Sequence, residues 1–430
     1  MSQTETRKPF VGKTVPLHKL CRSITDCHHS TPMWTESGEI VVRNFNIKQG
    51  KLDLGTPSYT NEKTYIERTS RAKPEAGDLI ISREAPMGEV CVIPEGIDCC
   101  LGQRMVLIKP DQNKIGSNYL LYAMLSEFVQ GQINQSNKTG SIVSNLRIPL
   151  LKELEIPLLN GTEKIAAALS ALDAKIACNN RINAELEAMA KTLYDYWFVQ
   201  FDFPFDFAQD KPDENGKPYR SSGGKMVYNP TLKREIPAGW EDSNILAVAD
   251  LLGGGTPTKK KPEYWDGNIP FFTPTDADGS IFKLSTANYI SEEGLKNSTT
   301  KLFEKNTVFI TARGSVGKLV LAGVDMAMNQ SCYALRAKLN ISYTYLFFLA
   351  KDLIHHLEVK SSGSVFNSIV SNDIEFTNLV ISETVVVDKF AAIIEPTFER
   401  IAINTKENQH LTQLRDWLLP MLMNGQITVQ

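Results

Sequence analysis

Two stretches decide how this chain is read: AKIACNNRINAEL at residues 174–186 and ERIAINTKENQHL at residues 399–411. They carry Ile, Ala, Asn, Asn and Leu at the same relative places, and Ile176 and Ile401 lie 225 residues apart. Extending the pattern by steps of four and three gives a first seam of Ile165, Leu169, Leu172, Ile176, Asn179, Asn183, Leu186, Ala190, Leu193 and Trp197. The same offset gives Phe390, Ile394, Thr397, Ile401, Asn404, Asn408, Leu411, Arg415, Leu418 and Leu422. Two matched heptad seams predict two long helices that pair as a coiled coil.

The asparagines bear on the pairing. Asn179 and Asn183 straddle the middle of one seam, Asn404 and Asn408 the middle of the other. In an antiparallel pair Asn179 lies level with Asn408 and Asn183 with Asn404, so amide meets amide. A one-heptad slip leaves an amide facing Leu or Ile, which fixes the register at some cost in stability. A parallel homodimer also aligns Asn with Asn; an antiparallel pair within one chain is the simpler arrangement. Residues 165 to 197 at ~1.5 Å each make a rod of about 50 Å, long enough to hold two heads about one duplex turn apart on B-DNA.

Repetition extends outward from the helices. LIISREAPMG (79–88) reads as a buried strand leaving through a glycine turn, and VFITARGSVG (308–317) stands in the matching place. Then come VCVI and LVLA, LGQR and MNQS, MVLI and CYAL, helical periodicity at 119–129 and 345–357, and the loops TGSIVSN and SGSVFNS. Gly38 to Gly50 and Gly267 to Gly279 bracket equal spans. The expected fold class is α+β: two similar mixed α/β domains at residues 1–160 and 241–385. Long helices are expected at 161–200 and 386–425, and a central linker at 201–240.

With 430 residues, more than one core is expected. The composition, 42% hydrophobic and 22% charged, is that of a folded soluble chain. No apolar run approaches the ~20 residues of a membrane span, and MSQTETRKPF lacks a signal core, so a cytoplasmic location is expected. Seven cysteines without framework spacing fit a reducing compartment. Cys27-His28-His29 lacks a second ligand pair, so no metal is expected. The net charge of −3 argues against a free-standing tight DNA binder. GGGTPTK at 253–259 and RGSVGK at 313–318 lack the ending of a phosphate-binding loop. NPTL at 229–232 matches an amino-methyltransferase tetrapeptide only in its first two letters. No catalytic residues are assigned.

The central region reads YDYWFVQFDFP (194–204), GKPYRSSGGKMVY (216–228) and KREIPAGW (233–240), and the second head opens with GGTPT (254–258) and PEYW (262–265). This resembles the specificity (S) subunits of type I restriction-modification systems across nearly the whole chain. The resemblance implies a non-catalytic subunit whose two target recognition domains read a bipartite, gapped duplex. It also implies two modification (M) subunits carrying S-adenosylmethionine and the adenine-methylating site, restriction (R) subunits that cleave, and no cofactor on this chain. The first head departs from the pattern with DCHHSTP at 26–32, and FDFAQD at 205–210 lengthens the centre.

Loops that combine basic, amide and hydroxyl groups supply phosphate contacts and base-edge hydrogen bonds. In the first head these are Arg43, Asn44, Asn46, Lys48, Lys51, Arg83, Asn137, Lys138, Ser141 and Asn145. In the second they are Thr256, Thr258, Lys259, Lys260, Lys261, Tyr264, Arg313, Ser361, Ser362, Ser364 and Asn367. Each, taken singly, reads more often as a plain solvated surface residue; the triple lysine beside Tyr264 and Trp265 is the best patch. The rings of Trp197, Phe198, Phe201 and Phe203 either seal the helix end or dock an M subunit, and their density beside a polar linker favours docking.

Overall fold

A computed structural model describes Phe10 and residues 12–135, 145–360 and 368–429. The chain divides into one unit of Met1–Ile176 with His410–Gln430 and another of Ala177–Gln409. The two long helices run Thr162–Tyr194 and Thr384–Met423, the first ending in a π-helical turn, Asp195–Val199. Each helix therefore gives one stretch to each unit. Among the described residues no helix is long and apolar enough to cross a membrane.

The first unit is built on a sheet in the order Cys21–Asp26, Met105–Pro110, Leu79–Ser82, Val90–Val92. The second repeats it as Ala249–Gly253, Cys332–Ala337, Val308–Thr311, Leu319–Ala322, and adds Phe282–Lys283 at the edge. The registers correspond as well: Met105 faces Ser82 as Cys332 faces Thr311, and Val106 faces Asp26 as Tyr333 faces Gly253. Leu79–Ser82 and Val308–Thr311 are buried at every residue, which explains why both read as unbroken apolar runs rather than alternating ones. A second sheet joins Cys99–Leu101 in parallel to Glu39–Val42, and Ser58–Thr60 runs antiparallel beside that strand. Its counterpart sets Ala327–Met328 parallel to Trp265–Phe272, with Asn288–Ile290 on the other side.

Helices cover the sheets. In the second unit Tyr343–Lys360 is one helix, with Tyr345, Leu346, Phe347, Phe348 and Leu349 all buried. In the first the corresponding segment breaks at Ser126 into Ser117–Leu125 and Glu127–Gln135. The Ser126 hydroxyl caps the break by accepting from Val129 N–H at 3.4 Å and donating to the Ala123 carbonyl at 2.6 Å.

The long helices pair antiparallel through their asparagines. In the second unit Asn179 Nδ2 donates to Asn408 Oδ1 at 2.9 Å and to Glu407 Oε2 at 2.7 Å. Asn404 Nδ2 donates to Asn183 Oδ1 at 2.8 Å, and Asn408 Nδ2 to Asn180 Oδ1 at 2.7 Å. Level partners thus fall as the two seams predict. The amides are not self-sufficient, however, since Glu407 and Asn180 join them. In the first unit Arg415 Nη1 meets Asp173 Oδ1 at 2.9 Å, and Ile165 and Leu169 share a core with Leu418, Leu419, Leu422 and Met423.

Candidate nucleic-acid interface

The strand order brings a set of loops to one edge of each main sheet. Strands ending at Asp26 and Ser82 run parallel to each other and antiparallel to the strand that starts at Met105, so the segments after residues 26 and 82 and before 105 leave the same edge. Hydrogen bonds knit them together. Arg83 N–H donates to the Arg104 carbonyl at 2.7 Å, Leu146 N–H to the Arg83 carbonyl at 3.0 Å, and Asn44 Nδ2 to the Ala85 carbonyl. The second unit makes matching bonds: Ala312 N–H to the Ser331 carbonyl at 2.8 Å and Ile369 N–H to the Ala312 carbonyl at 2.9 Å.

The turn after each buried strand is held from within. Ser82 Oγ donates to the Pro86 carbonyl at 2.6 Å and accepts from Glu89 N–H at 3.1 Å, while Gly88 N–H donates to the Ser82 carbonyl at 2.9 Å. Thr311 repeats the pattern with Ser315, Lys318 and Gly317. Gly88 and Gly317 sit at φ +88° and +83°, a left-handed conformation that glycine adopts without strain. A short helical turn beside each is also duplicated. Arg43 N–H donates to Asn46 Oδ1 at 2.9 Å, and Thr273 N–H to Asp276 Oδ2 at 2.8 Å. The GGTP stretch is pressed onto this edge: a Cβ on Gly254 would lie 2.2 Å from the Asn329 carbonyl oxygen. The sheet register sets Asp26-Cys27-His28-His29 in the place of Gly253-Gly254-Gly255-Thr256.

Several expected contact residues serve the fold instead. The Arg83 guanidinium binds Asp26 at 2.9 and 3.0 Å, the Leu146 carbonyl at 3.0 Å and Asn145 Oδ1 at 3.2 Å, so its donors are engaged inside the first unit. Asn46 is buried and donates to the Asp53 carbonyl at 2.9 Å. Lys48 pairs with Asp53 at 2.7 Å and Lys51 with Asp173 at 3.3 Å, which offsets both charges. Asn145 donates to Glu84 Oε1 at 2.7 Å. In the second unit the Tyr264 ring is buried, with Lys261 Nζ 4.9 Å from its centroid and 3.0 Å from its hydroxyl, so it offers no stacking face. The Thr256 hydroxyl donates to Gln330.

Arg43 is half-buried and Asn44 points across to the 83–88 turn. Thr258, Lys259, Lys260 and Arg313 are exposed, and among the described residues neither Lys259 nor Lys260 has an ion pair. Asn137, Lys138, Ser141, Ser361, Ser362, Ser364 and Asn367 lie outside the described residues. Among the described residues no three His, Cys, Asp or Glu side chains converge on a metal position. His29 Nε2 instead lies 3.1 Å from Asp26 Oδ2, and burial pushes the Cys27 thiol up.

Sequence reading passed over Trp34, Phe45, Thr273 and Thr275. Counting from the paired glycines, Gly38 and Gly267, lands within one residue of the correspondence between Arg43 and Thr273. That spacing was a usable signal for the second head.

The four expected docking rings are core residues. Trp197, Phe198, Phe201 and Phe203 are buried against Tyr219, Trp240, Tyr345 and Phe390, with Phe203 stacked on Tyr219 at 4.7 Å and on Trp240 at 5.3 Å. Their aromatic density seals the helix end, and the docking expectation for these side chains is corrected. The exposed apolar surface lies elsewhere on the helices. Leu186, Met189, Leu193 and Tyr196 face Ile393 and Ile394 across a groove of about 530 Å³, and Met189 is 67% exposed.

The Type I restriction modification DNA specificity domain matches this chain twice, at residues 35–188 and 237–413. The type I restriction enzyme MjaIX specificity subunit of Methanocaldococcus jannaschii is 25% identical over 375 residues, which is 86% of this chain and 82% of that one. The EcoR124I/EcoR124II specificity subunit of Escherichia coli is 31% identical over 271 residues, 59% of this chain and 57% of that one. A crystal structure of the type I S subunit from M. genitalium shares the fold, with a TM-score of 0.56 over 98% of both chains at 15% identity.

Proposed function

Since this chain belongs to the type I restriction-modification DNA specificity family, we propose that it reads a bipartite, gapped duplex, each unit taking one half-site. One observation carries this reading: the two units hold the same loops with the same internal hydrogen bonds, yet display different side chains from them. A repeated frame with unlike displays suits two unlike targets. The paired helices set the gap between the half-sites.

Methyl transfer belongs to two M subunits that bind S-adenosylmethionine, and cleavage to R subunits. The net charge of −3 supports this division, because neutralising many phosphates requires basic surface that partners supply. The groove bounded by Met189, Tyr196 and Ile393 is the surface on which an M subunit packs, since exposed apolar side chains gathered along one groove mark interaction sites.

Mapping methylated adenines in DNA exposed to the assembled complex tests the reading. Two short fixed blocks separated by a constant number of unspecified base pairs are expected. A contiguous motif, or methylation without any motif, refutes it.

A further inference from the structure

We propose that Arg43 reads a guanine in the major groove of the first half-site, oriented for that contact by the exposed rings of Trp34 and Phe45. This rests on the DNA-recognition reading and assigns one base contact within it. The guanidinium carbon lies 4.9 Å from the Trp34 ring centroid and 4.6 Å from that of Phe45. Cation–π contacts of this kind restrain the guanidinium without engaging its five N–H donors.

Three other arginines of the first unit, Arg68, Arg83 and Arg415, are satisfied internally. Arg68 gives its three nitrogens to the carbonyls of Leu101, Ser30 and His28, at 2.7, 3.0 and 2.9 Å. Arg83 is held by Asp26, Asn145 and Leu146, and Arg415 by Asp173 and Asp416. Among the described residues, no side chain or carbonyl accepts a hydrogen bond from the Arg43 guanidinium. It is therefore oriented and unengaged.

Its mount is stiff. The turn Asn44–Asn46 is closed by Asn46, which is buried and tied to Asp53, and Asn44 ties the turn to Ala85. The two flanking rings are 43% and 39% exposed and Arg43 is half-buried, so the cluster reaches the surface of the unit. A planar fork on a stiff mount matches the O6 and N7 acceptors of guanine, which lie in one plane. A phosphate contact needs only charge within reach, as the flexible Lys259 and Lys260 offer in the second unit. There the place of Arg43 is taken by Thr273, whose hydroxyl is bound to Asp276 at 2.7 Å, and the place of Phe45 by Thr275. The guanine contact therefore belongs to one half-site and has no counterpart from that turn in the other.

The test is selection from a randomised duplex pool by the chain assembled with its M subunits, using wild type, Arg43→Ala, Arg43→Lys and Phe45→Ala. Wild type is expected to select a guanine at one position of one block. Arg43→Ala and Arg43→Lys should each reduce that preference about tenfold or more and leave the other block intact, and Phe45→Ala should weaken the same position. A uniform fall in affinity with an unchanged motif would make Arg43 a phosphate contact and overturn the proposal. Loss of every position in the first block from all three variants, or an unchanged motif and affinity, would overturn it as well. If the underlying reading fails, wild type itself selects no motif.

Discussion

The amide of Asn404 donates to Oδ1 of Asn183 at 2.8 Å, joining two long helices at positions 221 residues apart. Both residues are buried. An amide deprived of its partner there is left facing apolar neighbours, and a buried unsatisfied polar group costs about 1–3 kcal/mol. Asn183→Leu and Asn404→Leu should each lower stability by that amount. The double variant should recover much of the loss, because two leucines satisfy each other. A double-mutant cycle from urea melts reads the coupling; additive single losses would show that the two amides act independently.

Trp197→Ala removes a ring packed in the second unit's core and should cost about 3–5 kcal/mol of that unit's stability. Met189→Glu, on the exposed groove, should leave the melting profile within about 0.5 kcal/mol of wild type while abolishing co-purification with the M subunit. Retention of M by Met189→Glu and Ile393→Glu together would move the docking surface elsewhere.

The double variant Lys259→Ala, Lys260→Ala removes two exposed ammonium groups that no carboxylate offsets among the described residues. If both contact phosphates, the slope of log affinity against log salt should become shallower by about 1.8. Sequence preference should stay the same. The reading is a salt titration of DNA binding by the assembled complex, and an unchanged slope removes this loop from the interface.

Asp352 accepts a hydrogen bond from the Tyr194 hydroxyl at 2.7 Å, and burial pushes its carboxyl up to about 6. The unfolded chain ionises the same group near its ordinary value of about 3.9. The protonated form is therefore the one the fold accommodates. Its contribution is complete below about pH 4 and lost as pH rises through about 6. Asp352→Asn, which keeps an acceptor for Tyr194, should raise stability at pH 7 by on the order of 1–2 kcal/mol and flatten the decline between about pH 4 and 6. Denaturant melts across that range decide the matter.

Much of the fold was legible because it rests on periodicity and repetition. The heptad seams located both long helices and the level pairs Asn179 with Asn408 and Asn183 with Asn404. The runs 79–82 and 308–311 read as buried strands, which they are. The site was less legible because charge on a loop does not tell where a side chain points. Arg83 reads as a surface cation until the sheet brings Asp26, 57 residues earlier, within 3.0 Å. Arg43 reads as one basic residue among several until the fold sets Trp34 and Phe45 beside it. Aromatic density around Trp197 marks packing, and a list of ring types alone does not separate a sealed core from a sticky surface.

The hydroxyl-anchored turn at Ser82 and Thr311 has a consequence for change over time. Its bonds begin and end within a few residues of the turn itself, so the letters of the loop other than Arg83 and Glu84, which bind Asp26, Asn145 and Arg104, carry little of the work of folding. Replacing those letters should retarget one reader without unmaking the chassis or disturbing its twin. If each unit reads one half-site as proposed, specificity can be rewritten there one half at a time.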